Sequence, residues 1–167
     1  MPPVYQTTIE KYPLEKAKVA KKTIASCTLW LAVFIFVILP LNIFFWNSAR
    51  FILLSADFVF VIIFVIVPIY QYQYYKKYFY DVRSDFLVIK KGVIMVREII
   101  LDYDKLQDVY MDQDILDRIF GLWDVHVSTA TSMSGAEAHI DGVNHDNAIA
   151  VREAILSKIR SGKQKNG

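Results

Sequence analysis

The sequence predicts an α+β domain that follows a transmembrane α-helical hairpin. Three observations carry this: two long apolar runs early in the 167-residue chain, short strand-like segments between turn signals in its second half, and one amphipathic helix near its end. Hydrophobic residues make up 54% of the chain, charged residues 22%, and mean hydropathy is +0.30. That balance excludes a disordered or purely polar protein. A net charge of +2 is too small to point to nucleic acid, and the lone Cys27 excludes an intramolecular disulfide framework or a multi-cysteine metal site.

Residues 1–22 form an N-terminal segment with Lys11, Lys16, Lys18, Lys21 and Lys22 against Glu10 and Glu15. Residues 23–70 form the hairpin. Thr23 to Ala49 is a run of 27 residues without charge, and Phe51 to Tyr75 carries only Asp57. As a helix, Ile24 to Trp46 reaches about 34 Å and Phe51 to Tyr70 about 30 Å, enough for a hydrocarbon core of about 30 Å. Neither run has the polar stripe of a soluble core helix. The first is too long for the roughly 7–15-residue core of a cleaved signal and no A-x-A-like site follows it, so it reads as a retained anchor. Asn47-Ser48-Ala49-Arg50 is short enough to join only antiparallel neighbours. Both chain ends then lie on one side. The lysines before the hairpin and Lys76, Lys77 and Arg83 after it, against Arg50 alone at the tip, place that side in the cytoplasm. Trp46 with Phe44 and Phe45 suits one interface, and the tyrosines between Tyr70 and Tyr78 suit the other.

Asp57 lies about 9 Å inside its helix, where a carboxylate costs up to about 2.5–3.5 kcal/mol. A turn centred between Ser48 and Ala49 sets Asn42 at a similar depth, so an Asn42–Asp57 hydrogen bond would lower that cost. The rival reading is a proton or ion site in a small transporter or channel subunit. Two helices supply few polar partners for a relay, and structural pairing is preferred.

Residues 76–160 read as a compact cytoplasmic domain. Tyr78 to Arg83, Phe86 to Ile89 and Val93 to Leu101 are successive hairpin strands, joined by turns at Arg83-Ser84-Asp85 and Lys90-Lys91-Gly92. Leu106, Val109 and Met111 line an extended stretch, and Ile115 to Phe120 is one helical turn closed by Gly121. Trp123 to Thr129 alternates, with Val125 and Val127 inward and Asp124 and His126 outward. Thr131 to Gly135 is a polar loop. Ala136 to Val143 alternates again, with Ala138 and Ile140 inward and Glu137, His139 and Asp141 outward. Asn144 or Asp146 can cap a last helix whose apolar stripe is Ala148, Val151, Ile155 and Ile159. Residues 161–167 are polar and expected to be a disordered tail.

Leu106-Gln107-Asp108-Val109, then Gln113, Leu116 and Arg118, then Phe120-Gly121-Leu122 and Val125-His126-Val127 resemble the signature stretch of the membrane-anchored bacterial pleckstrin-homology-like (PH-like) family. Within that pattern Leu106, Gln107, Val109, Gln113, Leu116, Arg118 and Gly121 are expected to be structural. The family also sets a pair of spans before the domain. The resemblance implies a bent antiparallel sheet or barrel capped by the C-terminal helix. Six strands are visible in the sequence, where a pleckstrin-homology fold has seven.

No catalytic, cofactor or metal site stands out. Asp112-x-Asp114 lacks the glycine and terminal glutamate of a calcium loop. His126 and His139, opposite one another with Asp124 and Asp141 near, suggest zinc, but an exposed cross-strand pair explains them more simply. There is no phosphate loop and no nucleophile with a base. From Gln71 onward 13 basic and 14 acidic residues leave a net charge of −1, so a lipid-headgroup site does not follow from fold alone. The nearest candidates for one are Lys90, Lys91 and Arg97. The expected role is non-catalytic binding or scaffolding at the cytoplasmic face of the cell membrane, with a membrane protein of similar type, or a second copy, as partner. The alternatives are a transporter subunit working through Asp57 and an anionic-lipid sensor.

Overall fold

A computed structural model of the chain describes residues 6–129 and 138–165, with side chains through Gly162. The Thr131–Gly135 loop therefore lies outside the described residues. The chain divides into two units: one comprises Met1–Lys18 and Tyr74–Gly167, the other Val19–Gln73.

The Val19–Gln73 unit is helical. Helix α2 (Ala17–Val33) enters it, a wider π turn spans Phe34–Ile38, and α3 (Leu39–Lys77) leaves it. The π turn has a local cause. Pro40 has no N–H to offer the preceding turn and its ring crowds the carbonyl there; widening the helix just before it relieves the clash, and Leu39 N–H bonds to Phe34 O five residues back. From Ala17 to Lys77 the helix is long and apolar enough to cross a membrane. It is not straight. Ala49 leaves helical geometry at φ −132°, ψ 24°. Beyond that kink the two arms lie side by side: Phe34 and Phe60 rings are 4.9 Å apart, and Trp30 and Phe60 meet edge to face at 6.5 Å. In a straight helix residues 30 and 60 would be about 45 Å apart. Leu53 and Phe60 are buried between the arms, while Phe36, Phe44 and Phe51 are each more than three-quarters exposed. The hydroxyls of Thr28 and Ser55 turn back onto Ile24 O and Ile52 O of their own helix.

The other unit carries two three-stranded antiparallel sheets and a helix. Strands β1 (Phe79–Val82), β2 (Phe86–Lys91) and β3 (Arg97–Asp102) form the first in that order; β4 (Leu106–Asp112), β5 (Trp123–Thr129) and β6 (His139–Val143) form the second. Among the described residues no ladder joins the two, so the expected bent sheet is present as two small sheets and a closed barrel is not. A 3-10 turn at Tyr103–Lys105 makes the corner between them, pinned by the buried Tyr103, whose hydroxyl donates to Phe86 O or Arg83 O. Strand β3 starts at Arg97 rather than at Val93, because Gly92 at φ +116° opens a wider loop. Helix α4 (Ile115–Phe120) links β4 to β5. Helix α5 (His145–Lys165) packs its stripe of Ala148, Val151, Ile155 and Ile159 onto a core that includes Tyr80, Leu87, Ile89, Val125, Val127 and Ile140. Asn144 caps it, accepting Asn147 N–H at 2.8 Å. It runs past Arg160 to Lys165, where the sequence suggested a disordered tail; Gly162 costs helix stability without breaking it.

The N-terminal segment belongs to this unit too. A short helix α1 (Thr8–Lys11), with Glu10 Oε2 accepting Thr7 N–H, lies against β1. Leu14 is part of the core. The domain is therefore discontinuous in sequence, and the apolar helices are inserted into it.

Candidate functional site

Four features could serve a function, and each is set by local structure. The first is the corner built by the motif residues. Leu106 and Val109 point into the core, and Gln107 faces solvent. Asp114 caps α4 by accepting Asp117 N–H at 2.7 Å, while Asp117 Oδ2 accepts Asp114 N–H at 3.2 Å. Gly121 ends the helix at φ +66°, and Gln113 Nε2 donates to Leu122 O at 2.9 Å, tying both ends of the α4 segment together. Leu116 is half-buried and Arg118 exposed. The construction leaves Ile115 and Ile119 exposed one turn apart on a single helix face.

A ladder of rings crosses the second sheet. Tyr110, His126 and His139 are direct cross-strand partners, and their rings stack at 5.0 and 5.3 Å. Stacked imidazoles aim their in-plane lone pairs along parallel directions, so this pair does not converge on one ion. His126 Nε2 instead meets Asp112 Oδ1 at 3.0 Å. Donor atoms of Asp112, Asp124 and His126 lie within 4.8 Å of one another. Asp124 Oδ1 already accepts Gly142 N–H at 2.8 Å, so internal hydrogen bonds account for the group. Asp141, expected outward, is buried.

What buries it is the third feature, a clasp formed by the N-terminal segment. Lys18 is 1% exposed; its Nζ donates to Asp141 O at 2.7 Å, lies 3.7 Å from Asp141 Oδ2, and sits 3.9 Å from the centre of the Tyr78 ring. Its methylene stem runs over Gly142, where an added Cβ would fall 2.8–3.0 Å from the stem carbons. Asp81, fully buried, accepts Thr8 N–H at 2.9 Å and pairs with Arg83 Nε at 3.2 Å. The hydroxyls of Tyr80 and Tyr75 donate to Tyr12 O and Leu14 O. Burial, and then the charge of Asp141, pushes the Tyr78 phenol well above its ordinary pKa, and burial does the same for Tyr80. None of these partnerships was visible from strand periodicity. The one available signal was Thr7-x-x-Glu10, a helix-start pattern in a segment otherwise read as a charged flank.

The fourth feature is the polar pair in the helical unit. Asn42 Nδ2 donates to Asp57 Oδ1 at 3.3 Å and to Ile38 O at 3.1 Å. In the sheet unit there is also an open cleft of about 270 Å³ lined by Ser84, Asp85, Tyr103, Asp104, Lys158 and Ser161.

The family model of a bacterial PH domain matches residues 19–159, which takes in the apolar helices, both sheets and most of α5, but not residues 1–18 of the sheet unit. Neither curated proteins nor solved structures gave a match.

Proposed function

The chain belongs to the bacterial PH domain family, and from that premise we propose that it is a non-catalytic, membrane-anchored binding module. In this reading the two apolar arms cross the cell membrane as a hairpin, and residues 1–22 and 76–160 both lie in the cytoplasm. The observation that carries the topology is the discontinuity of the sheet unit. Residues before and after the apolar helices share one core and a buried Lys18–Asp141 pair, which supports one side of the bilayer for both flanks and an even number of crossings between them. The lysines on both flanks, against a single arginine at the tip, favour the inner face. Large apolar side chains exposed all along the arms are stable against lipid and costly against water.

The partner in this reading is a membrane protein of similar type or a second copy. Confinement to one membrane raises effective concentration, so a small apolar contact such as the Ile115–Ile119 face suffices. Asp57 is a packing residue, because its carboxylate has the Asn42 amide as a partner.

The test is protease protection in bacterial cells expressing the full chain. Protease outside intact spheroplasts should leave the sheet unit whole, and permeabilisation should expose it. Digestion from outside overturns the orientation. Recovery of the chain in water without detergent overturns the anchoring. Co-purification in mild detergent should yield an oligomer or a second membrane protein; a lone monomer overturns the scaffold role. Asp57→Asn should leave insertion and assembly intact, and loss of a measurable proton or ion flux would favour transport instead.

A further inference from the structure

The end of helix α3 and the loop between β2 and β3 meet. Lys77 Nζ, on the last residue of the helix, donates to Val93 O at 3.4 Å. The residues that follow Val93 are Ile94, Met95 and Val96. Ile94 and Met95 are 86% and 85% exposed, the two most exposed large hydrophobic side chains among the described residues, and Val96 is exposed as well. The loop is a built feature. Gly92 takes φ +116° with Met95 O packed where a Cβ would stand, so the backbone holds the three apolar side chains at the tip. Lys90, Lys91 and Arg97 flank the loop on the two strands and Lys77 reaches it from the helix; Glu98, opposite Lys90, pairs with it at 3.5 Å. An apolar tip inside a basic collar is the chemistry of an interfacial anchor, in which side chains enter the acyl boundary and cations rest on anionic headgroups.

We propose that the Ile94–Val96 tip inserts into the interfacial layer of the same bilayer that holds the apolar helices, as a second point of attachment for the sheet unit. The inference rests on the anchoring reading given above. Connectivity selects lipid as the occupant. Lys77 lies four residues beyond Gln73, the last residue of the helical unit, so the tip stays within one lysine side chain of the helix end. A soluble partner would have to displace headgroups to reach it. With a helix and a loop both attached, the sheet unit has two points of contact with the bilayer.

The test uses the full chain with Cys27→Ser, reconstituted in vesicles of phosphatidylethanolamine and phosphatidylglycerol. A nitroxide is attached at Met95→Cys, at Phe36→Cys on an apolar arm, or at Asp85→Cys in the turn at the other end of β2. Collisions with oxygen and with a water-soluble nickel chelate are compared by electron paramagnetic resonance. The label at 95 should favour oxygen, as at 36, and the label at 85 should favour nickel. If 95 behaves like 85 while 36 remains lipid-like, the tip does not insert and anchoring still stands. If 95 is shielded from both probes, protein covers the tip and the proposal fails. If 36 itself favours nickel, anchoring fails and the proposal with it.

Discussion

Lys18 is the residue on which the sheet unit depends most visibly. A lysine only 1% exposed is stable only with its charge met, and Asp141 O, Asp141 Oδ2 and the Tyr78 ring meet it. Lys18→Met keeps the stem over Gly142 but removes this cation from beside the buried Asp141 carboxylate, and should lower stability by about 3–5 kcal/mol in a thermal or denaturant melt of the detergent-solubilised chain. Tyr78 supplies a pH signature. Its folded pKa is raised by burial first and by Asp141 second. Below the ordinary tyrosine pKa of about 10 both folded and unfolded chains hold the proton; above it the unfolded chain releases its proton and the folded chain does not. Stability should therefore be level up to about pH 10 and fall as pH rises towards the raised value. Tyr78→Phe should flatten that fall, at a cost near 1 kcal/mol for the hydrogen bond to His139 O. The sequence showed Lys18 as one positive charge among five and Asp141 as an outward strand position. Alternation assigns a side chain to a face of its sheet, but not what covers that face.

At the scale of elements, periodicity located most of the sheet unit. Strands β1, β2 and β5, helix α4 closed by Gly121, and the stripe of α5 follow from two- and 3.6-residue spacing with turn residues between them. It lost detail where side-chain hydrogen bonding decides. Asp114 stood out in the sequence only as part of an incomplete calcium-loop pattern, yet Asp114 and Asp117 cap α4 reciprocally and Asp117 is buried. Asp114→Ala should cost about 1 kcal/mol and loosen the corner, read as faster amide exchange at Asp117 and Leu122. Among the motif residues, Leu106 and Val109 lie in the core, Gln113 and Gly121 hold the turn around α4, and Gln107 and Arg118 stay on the surface. In the apolar helix, Pro40 and its π turn were not anticipated, because a composition count registers proline only as one more uncharged residue.

For the whole molecule, the apolar arms were visible in composition and the α+β domain in periodicity, whereas the discontinuity of that domain was visible in neither. A segment of 18 residues whose three lysines all lie in its second half, with only a brief helix signal, gives no periodic clue that it completes a core. Deleting residues 1–18 should leave the apolar arms able to enter membranes, yet make the remaining sheet unit sensitive to protease, because Leu14 leaves the core, Asp81 loses its bond from Thr8 and Asp141 loses Lys18. A protease-resistant sheet unit after that deletion would show the clasp to be dispensable.

A domain split in this way also sets a timetable. The ribosome releases Lys18 first and Asp141 only 123 residues later; at roughly 5–20 residues per second, the lysine waits about 6–25 s for its carboxylate. In the anchored reading proposed above, the greasy middle of the chain emerges during that interval and is received by the insertion machinery before the flanks lock. Closure of the clasp then works as a knot tied after threading, joining the leading and trailing ends so that neither can be drawn through alone.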